Sequence, residues 1–284
     1  MKAAPLAYAR ANDVSHAIAL WQQAGPDARL LAGGQSLLAG LSLRISDVSA
    51  LIDISRITSM RGIQDLGDRL RIGALTRHRD LEFSPVVAEF APAFAQAAPL
   101  IAHAAIRTRG TIGGSIAYAD PAAEIPACVL ALDATIIVSG PQGQREIAAS
   151  NFFRGLYETA LEPFEIITAI EVPKITPAGR QIVTELARRS GDYAIAGLVL
   201  AGDWVDGKLN GPKVVYFGVG LAPVMAHAAM AALANGDPID VACAALADDL
   251  DPPADLQGSP EMKRHLARVL LRRAFNSLNE SYLH

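Results

Sequence analysis

Two glycine pairs, each followed by serine, are the residues of this chain best suited to bind an anion. They lie in Leu31-Ala32-Gly33-Gly34-Gln35-Ser36-Leu37-Leu38 and Thr111-Ile112-Gly113-Gly114-Ser115-Ile116, 80 residues apart. Glycine adopts positive φ at little cost and has no side chain to obstruct a ligand. Two loops that expose backbone N–H groups can clamp a phosphate or pyrophosphate from opposite sides, with the serine hydroxyls as further donors. Most glycine pairs mark ordinary tight turns, so spacing alone leaves both interpretations open.

The elements around these pairs are predicted from hydrophobic patterns and capping residues. Asn12 or Asp13 caps a helix that Gly25 ends, and Thr76 is predicted as another N-cap. A strand leads into the first pair and a brief helix or turn follows it, whereas an apolar helix follows the second pair. The predicted strands are 29–32, 51–54, 69–73, 134–139 and 164–172, and the predicted helices are 14–24, 85–98 with a break at Pro92, and 121–132.

A domain boundary is predicted at Pro177-Ala178-Gly179, because the pattern beyond it changes to strands followed by helices. The predicted strands there are 182–186, 195–205 and 213–219, and the predicted helices are 226–235, 239–250 and 260–276, with Ser259 capping the last. The fold is therefore predicted to be α+β. Residues 1–177 form the larger domain, and residues 178–284 form a smaller one, a three-stranded sheet with helices.

Composition excludes several classes of function. The chain has 284 residues and a net charge of −4, which gives no reason to expect a nucleic-acid partner. The longest apolar run, 125–132, is too short to cross a bilayer, and no apolar signal core follows Met1, so we expect a cytoplasmic protein without a transmembrane segment. Cys128 and Cys243, the only cysteines, cannot supply the four ligands of an iron–sulfur cluster. Redox chemistry in this chain therefore requires an organic cofactor.

Two other glycine motifs are predicted to be structural. The run from Gly202 to Lys208 has the glycine and lysine spacing of a P-loop, but Leu209 replaces the residue that would hold magnesium. Asp206-Gly207 within it predicts a hairpin turn. A second run begins at Gly218 like a dinucleotide-binding fingerprint, but Pro223 occupies the third glycine position, so we predict a loop after a strand.

Charged residues near the second glycine pair each have two interpretations. Arg107 and Arg109 either neutralise a phosphate or form packing contacts and salt bridges. Asp120 and Glu124 lie four residues apart and share a helix face if the helix begins by Asp120. They are otherwise acidic residues that the helix dipole favours at a helix start.

Three stretches together resemble one protein family, the FAD-binding medium subunit of the molybdenum hydroxylases, which include carbon monoxide dehydrogenase and bacterial xanthine dehydrogenases. They are Ala32-Gly33-Gly34-Gln35-Ser36-Leu37-Leu38 with Leu43-Arg44 and Leu51-Ile52-Asp53-Ile54, Ile106-Arg107-Thr108-Arg109-Gly110-Thr111-Ile112-Gly113-Gly114-Ser115 with Ala119-Asp120-Pro121-Ala122-Ala123-Glu124-Ile125-Pro126-Ala127, and Arg189-Ser190-Gly191-Asp192-Tyr193-Ala194. The resemblance covers essentially the whole chain. Thr108 departs from the usual asparagine and Tyr118 from a frequent histidine, and neither departure affects the glycines.

This resemblance implies that residues 1–177 form a two-part FAD-binding domain of the vanillyl-alcohol-oxidase (PCMH-like) type, covered by the C-terminal domain. It implies that Asp120 contacts the ribityl or phosphate region and that Tyr193, the one candidate catalytic residue, lies at the face of the isoalloxazine ring. The implied FAD-binding residues are Ala32, Gly33, Gly34, Gln35, Ser36, Leu37, Thr111, Ile112, Gly113, Gly114, Ser115, Ala119, Asp120, Glu124 and Tyr193. No metal site is expected in this chain.

The resemblance also implies an electron-transfer role. A large partner subunit would carry molybdopterin, and a small one would carry two [2Fe–2S] clusters that deliver electrons to this FAD. A quinone, NAD or oxygen would then accept them, and the complex would be a dimer of heterotrimers, cytoplasmic or peripheral to the inner membrane. Two alternatives stay open: a stand-alone FAD-dependent oxidase of the same superfamily, and a binding module for another phosphate ligand without redox turnover.

Overall fold

The first glycine pair follows a strand of a small parallel sheet. The computed structural model describes the backbone of residues 5–280 and the side chains of residues 5–278. The sheet consists of β1 (Ala7–Arg10), β2 (Arg29–Leu31) and β3 (Ala50–Asp53), with β3 in the middle. Asp13 accepts a hydrogen bond from the backbone N–H of His16 at the start of α1 (Val14–Ala24), which confirms the predicted cap. The short helix α2 (Leu37–Ser42) follows the first glycine pair.

A five-stranded antiparallel sheet forms the centre of the larger domain. Its strands are β4 (Ile63–Asp65), β5 (Arg69–Gly73), β6 (Thr135–Gly140), β7 (Gly143–Ala148) and β10 (Ile166–Pro173), in the order β4-β5-β10-β6-β7. A separate hairpin pairs β8 (Phe153–Gly155) with β9 (Glu158–Thr159). The hydrophobic patterns predicted β5, β6 and β10 but missed β1, β4 and β7, and the hairpin.

Six helices connect β5 to β6 and enclose the second glycine pair. They are α3 (His78–Glu82), α4 (Pro85–Phe90), α5 (Pro92–Ala97), α6 (Ala104–Arg107), α7 (Ile112–Tyr118) and α8 (Glu124–Ala131). The break between α4 and α5 confirms the interruption predicted at Pro92. Every residue of α8 is buried, as expected for a helix that is apolar all round.

Two local predictions in this region are wrong. Thr76 does not cap α3, because its hydroxyl donates a hydrogen bond to the carbonyl of Gly62 (3.1 Å). The cap residue is Arg77, whose backbone N–H donates a hydrogen bond to the carboxylate of Asp80 (3.1 Å). The helix predicted over 121–132 begins only at Glu124, so Asp120 lies in the preceding turn and does not share a helix face with Glu124.

The C-terminal sheet has four strands instead of the predicted three. They are β11 (Gly179–Leu186), β12 (Ala196–Val205), β13 (Lys208–Phe217) and β14 (Val224–Met225), paired antiparallel in that order. The missed strand, β14, has two residues and is too short to show a periodic pattern. Asp206 (φ +51°) and Gly207 (φ +75°) form the two-residue turn between β12 and β13. The predicted hairpin is thus confirmed.

Three helices pack with this sheet, and the larger domain packs against its first strand. The helices are α9 (His227–Asn235), α10 (Ile239–Asp249) and α11 (Pro260–Glu280). Gln96 of α5 donates a hydrogen bond to the carbonyl of Gln181 (2.9 Å) and accepts one from the N–H of Val183 (3.0 Å). These bonds to β11 hold the C-terminal domain against the helices that follow β5.

Candidate cofactor site

The two glycine pairs lie side by side. A Cβ atom added at Gly33 would lie 2.3 Å from the carbonyl oxygen of Arg109 and 3.0 Å from the Cα of Gly110. Only glycine therefore allows the first motif to approach the segment immediately before Thr111. Gly34 has φ +75°, a conformation that side chains disfavour. The sequence-based expectation that the two motifs meet at one place agrees with this geometry.

The first motif is an open loop with free backbone donors. The N–H groups of Gly33, Gly34, Gln35 and Ser36 make no hydrogen bond to any residue within 5–280. The Gln35 side chain donates instead to the carbonyl of Gly33 (3.0 Å). Successive N–H groups in such a turn form a concave site that suits a phosphate.

The second motif differs, which corrects our prediction of a matching loop. Gly113 and Gly114 belong to the first turn of α7, and Thr111 caps that helix by accepting a hydrogen bond from the N–H of Gly114 (3.2 Å). The N–H groups of Ile112 and Gly113 donate to the carbonyls of Thr76 (3.0 Å) and Ala74 (2.9 Å). These N–H groups already donate to acceptors within the protein. The motif therefore offers a ligand its hydroxyl groups and a closely packed backbone instead of free N–H donors.

A cavity of about 840 Å³ extends between the two motifs and the C-terminal domain. Most of the predicted binding residues line it, namely Ala32, Gly33, Gly34, Gln35, Ser36, Leu37, Thr111, Gly113, Gly114, Ser115, Asp120, Glu124 and Tyr193. Two predicted residues do not line it. Ile112 is fully buried in the core, and Ala119, at φ +52°, ends α7 with its side chain buried.

Other cavity residues were missed because they come from scattered elements without a local motif. Their apolar members include Met60, Leu75, Leu161 and Ile167. His78 of α3 also lines the cavity; burial and then the nearby Arg107 lower its pKa to about 4, so the imidazole is neutral. Its Nδ1 is buried without a hydrogen-bond partner among residues 5–278. In the sequence this histidine stands between Arg77 and Arg79, a charged context that gave no signal for a place in an apolar cavity.

Arg107 forms hydrogen bonds and a salt bridge within the protein. Its guanidinium donates to Glu82 (2.9 Å) and to the carbonyls of Ile101 (3.2 Å) and Ala102 (3.0 Å). Of the two interpretations drawn from the sequence, the salt bridge is the one that the structure supports. Arg109 contributes its backbone to the contact with Gly33 and does not line the cavity.

Three tyrosines surround the carboxylate of Asp120 at one end of the cavity. The rings of Tyr118 and Tyr157 lie 5.1 Å apart between centroids. Burial raises the pKa of Asp120, whereas the N–H of Ala122 and the hydroxyls of Tyr157 and Tyr193 oppose that rise. Burial and then the Asp120 charge raise the pKa of Tyr157 and of Tyr193 to about 12 each. The tyrosines therefore keep their hydroxyl protons at neutral pH.

Glu124, the first residue of α8, is a neutral acid in this cavity. Burial and then the nearby charges of Glu185 and Asp120 raise its pKa to about 8. Glu185 of β11 has its pKa raised to about 7 by burial, and its Oε2 has no hydrogen-bond partner among the described residues. At neutral pH the Glu124 carboxyl can donate a hydrogen bond as well as accept one.

The residues present fit a flavin dinucleotide. The cavity volume lies within the range of roughly 300–1,000 Å³ that ligand sites occupy. The free N–H groups of the first motif suit a diphosphate, the apolar walls suit a flat ring, and Glu124 and Asp120 suit the hydroxyls of a ribityl chain. Within the described part of the chain, no group of three or more His, Cys, Asp or Glu side chains could hold a metal ion.

Comparisons with known families agree with this geometry. A family model described as the FAD binding domain in molybdopterin dehydrogenase matches residues 4–175. A second, described as the CO dehydrogenase flavoprotein C-terminal domain, matches residues 181–278. The chain is thus an FAD-binding oxidoreductase subunit. It belongs to the family of medium subunits of molybdenum hydroxylases, which confirms the resemblance inferred from its motifs.

Relatives with known names share nearly the full length of the chain. The carbon monoxide dehydrogenase medium chain of Hydrogenophaga pseudoflava is 35% identical over 95% of this chain and 96% of its own length. The 6-hydroxypseudooxynicotine dehydrogenase complex subunit alpha of Paenarthrobacter nicotinovorans is 35% identical over 96% and 94%. Among solved structures, a carbon monoxide dehydrogenase from Hydrogenophaga pseudoflava has a TM-score of 0.94 at 37% identity, covering 97% of this chain and 98% of that one.

The fold is conserved beyond carbon monoxide dehydrogenases. Quinoline 2-oxidoreductase from Pseudomonas putida 86 superposes with a TM-score of 0.93 at 29% identity over the full length of both chains. The two-domain FAD-binding fold predicted from the sequence is therefore confirmed, with the corrections given above. None of the helices between residues 5 and 280 has the length and apolar character that a membrane span requires.

Proposed function

We propose that this subunit holds FAD in the cavity between its two glycine motifs and passes electrons from a partner's [2Fe–2S] clusters to an external acceptor. The contact between Gly33 and the Arg109-Gly110 backbone carries the proposal, because it joins the two motifs at one end of a single dinucleotide-sized cavity. The bound flavin would supply the capacity to accept and release electrons.

Each part of the cavity has a distinct role in this proposal. The N–H groups of Gly33 to Ser36 bind the diphosphate, with hydroxyl support from Thr111 and Ser115. Asp120 and the protonated Glu124 bind the ribityl hydroxyls. Tyr193 lies at the ring, where its pKa of about 12 keeps the hydroxyl neutral. We also propose that the two domains meet at residue 177.

The partners are proposed from the relatives. One solved relative is a Cu,Mo-CO dehydrogenase. Another is a carbon monoxide dehydrogenase that lacks the Mo-pyranopterin moiety of the molybdenum cofactor. We infer a large subunit with molybdopterin and a small iron–sulfur subunit, assembled as a dimer of heterotrimers in the cytoplasm or at the inner membrane. The final acceptor is an external carrier such as a quinone, NAD or oxygen.

Purification of the native complex through a tag on this chain tests the proposal. We expect two co-purifying chains, molybdenum, iron, and FAD that is released on denaturation. A stand-alone flavin oxidase would instead contain FAD without partners or metals. A protein with another phosphate ligand would lack the flavin absorption bands.

A further inference from the structure

The β8–β9 hairpin places a tyrosine where the backbone favours glycine. Tyr157 is the second residue of the two-residue turn between Gly155 and Glu158, and its φ is +56°. A side chain in this left-handed region costs about 1 kcal/mol or more relative to glycine. Such a conformation persists where surrounding contacts determine it, and it often marks a functional position.

The contacts of Tyr157 lie at the candidate cofactor site. Its ring packs at 58° against that of Tyr118, with the centroids 5.1 Å apart. The hydroxyls of Tyr157 and Tyr193 both oppose the rise in the pKa of Asp120, so both lie near that carboxylate. Tyr118, Asp120 and Tyr193 all line the cavity, whereas Tyr157 does not. Asp120 is itself fixed by the N–H of Ala122 (2.9 Å).

This arrangement connects three separate parts of the chain. Asp120 lies in the turn between α7 and α8, Tyr157 lies on the hairpin, and Tyr193 belongs to the C-terminal segment that precedes β12. Tyr193 is 61% exposed, so packing alone does not fix its ring. One carboxylate that interacts with both hydroxyls restrains both tyrosines, because a charged acceptor strengthens each interaction.

We propose that Tyr157 is a positioning residue that acts through Asp120 to set the orientation of Tyr193 at the mouth of the cofactor cavity. This inference rests on the proposed placement of the flavin ring beside Tyr193. Tyr157 itself need not touch the cofactor. It holds the Asp120 carboxylate from one side, and Tyr193 is oriented by the same carboxylate from the other.

The chain contains a matched control for loss of one hydroxyl group. Tyr8 is 53% exposed, close to the 51% of Tyr157, and its hydroxyl also donates to a buried carboxylate, that of Asp53. Tyr8 and Asp53 do not line the cavity. Tyr8→Phe and Tyr157→Phe therefore make the same chemical change at similarly exposed sites, but only the second affects the Asp120 cluster.

The first experiment uses the full chain without FAD, with its six tyrosines replaced by 3-fluorotyrosine. Fluorine NMR resonances are assigned with single Tyr→Phe variants. We expect Tyr157→Phe to shift and broaden the Tyr193 resonance, and Tyr8→Phe to leave it unchanged. The resonance of the fully buried Tyr216 reports that each variant is folded. A Tyr193 resonance in Tyr157→Phe that coincides with that of the unmutated chain would overturn the inference.

Asp120→Asn provides a second test of the same connection. Because it removes the shared charge, we expect the Tyr157 and Tyr193 resonances to shift together, and a shift of only one of them contradicts the inference. Titration with FAD then measures the consequence for binding. Tyr157→Phe should raise the dissociation constant roughly 2- to 10-fold, as expected for the loss of one hydrogen-bonding group, and an unchanged constant also counts against the inference. Failure of the unmutated chain to bind FAD would instead overturn the proposed function.

Discussion

The two glycine motifs share a Gly-Gly pair followed by a serine, but they use their glycines in different ways. In the first, Gly33 and Gly34 leave backbone N–H groups free in an open loop. In the second, Gly113 and Gly114 form the first turn of α7, where their N–H groups bond to Ala74 and Thr111. Glycine gives a ligand access to the backbone in the first motif. In the second it lets a helix pack closely on its neighbours.

This difference gives the two glycine motifs different roles. In the proposed site the first motif binds the diphosphate, and the second supports it, because the segment just before Thr111 forms the surface that Gly33 contacts. A residue change in the second motif should therefore act mainly on the free energy of unfolding. A change in the first should act mainly on FAD affinity. The following predictions test this separation, beginning with the largest effect.

Gly113→Val should destabilise the fold. Its Cβ would lie 2.5 Å from the Cβ of Ala74 and 2.8 Å from the Ala74 carbonyl oxygen, at a buried position. Overpacking of this kind costs about 3 kcal/mol or more when backbone atoms are in the way. Thermal unfolding of the FAD-free chain measures the loss. A variant that keeps its unfolding temperature but no longer binds FAD would show that the second motif acts on the ligand instead.

Gly33→Ala should weaken FAD binding more than it weakens the fold. The added Cβ would meet the Arg109 carbonyl at 2.3 Å and displace the loop, which is only partly buried and can shift. We expect a rise of roughly 10- to 100-fold in the dissociation constant, equivalent to the loss of two or three backbone hydrogen bonds. Equilibrium titration measures it. Gly67→Ala is the control for a turn glycine outside the cavity. Alanine is disfavoured at the φ of +99° there, so we expect this variant to lower stability but to leave the FAD dissociation constant unchanged.

Glu124→Gln should change how stability depends on pH. The folded-state pKa of Glu124, about 8, lies above the ordinary value of 4.5, so the folded chain holds a proton that the unfolded chain has released. Stability therefore falls as pH rises between these two values and is flat above them. The variant, which lacks this proton, should show a smaller fall and should unfold at a higher temperature than the parent chain at pH 9. Parallel curves for the two FAD-free proteins from pH 5 to 9 would refute the assigned pKa.

The smallest effects are expected at the two hydroxyl residues beside the glycine pairs, Thr111 and Ser36. Thr111 caps α7, so Thr111→Ala should cost about 1 kcal/mol of unfolding free energy. Ser36 makes no capping hydrogen bond, so Ser36→Ala should change stability by less than about 0.5 kcal/mol. Chemical denaturation of both FAD-free variants measures the difference. Equal losses would mean that the two motifs support the fold in the same way.

Local patterns in the sequence predicted much of this structure. The caps of α1 and α11, the break at Pro92 and the Asp206-Gly207 turn depend on neighbouring residues, and all are confirmed. Short edge strands such as β14 were missed, because two residues carry no periodicity. Whether a glycine pair forms a loop or a helix start depends on partners distant in sequence, such as Ala74 for Gly113, and these partners have no local signature.

The same limit applies to the site. Its motif residues were predictable because they are consecutive. His78 reaches the cavity, and Tyr157 packs on Tyr118 beside it, from elements that tertiary packing brings near. The burial that gives Glu124 a pKa of about 8 is likewise a property of the assembled fold. Sequence patterns therefore identified the part of the site that binds by backbone. They missed side chains that contribute one at a time.

Amide hydrogen exchange, measured with and without FAD, tests the central claim most directly. We expect the amides of Gly33 to Ser36 to exchange rapidly in the FAD-free chain and to become protected when FAD binds, since they are free donors that acquire a diphosphate partner. The amides of Ile112 to Ser115 should be protected in both states, because each already has a protein acceptor. Amides in the first loop that stay unprotected when FAD is bound would contradict the account.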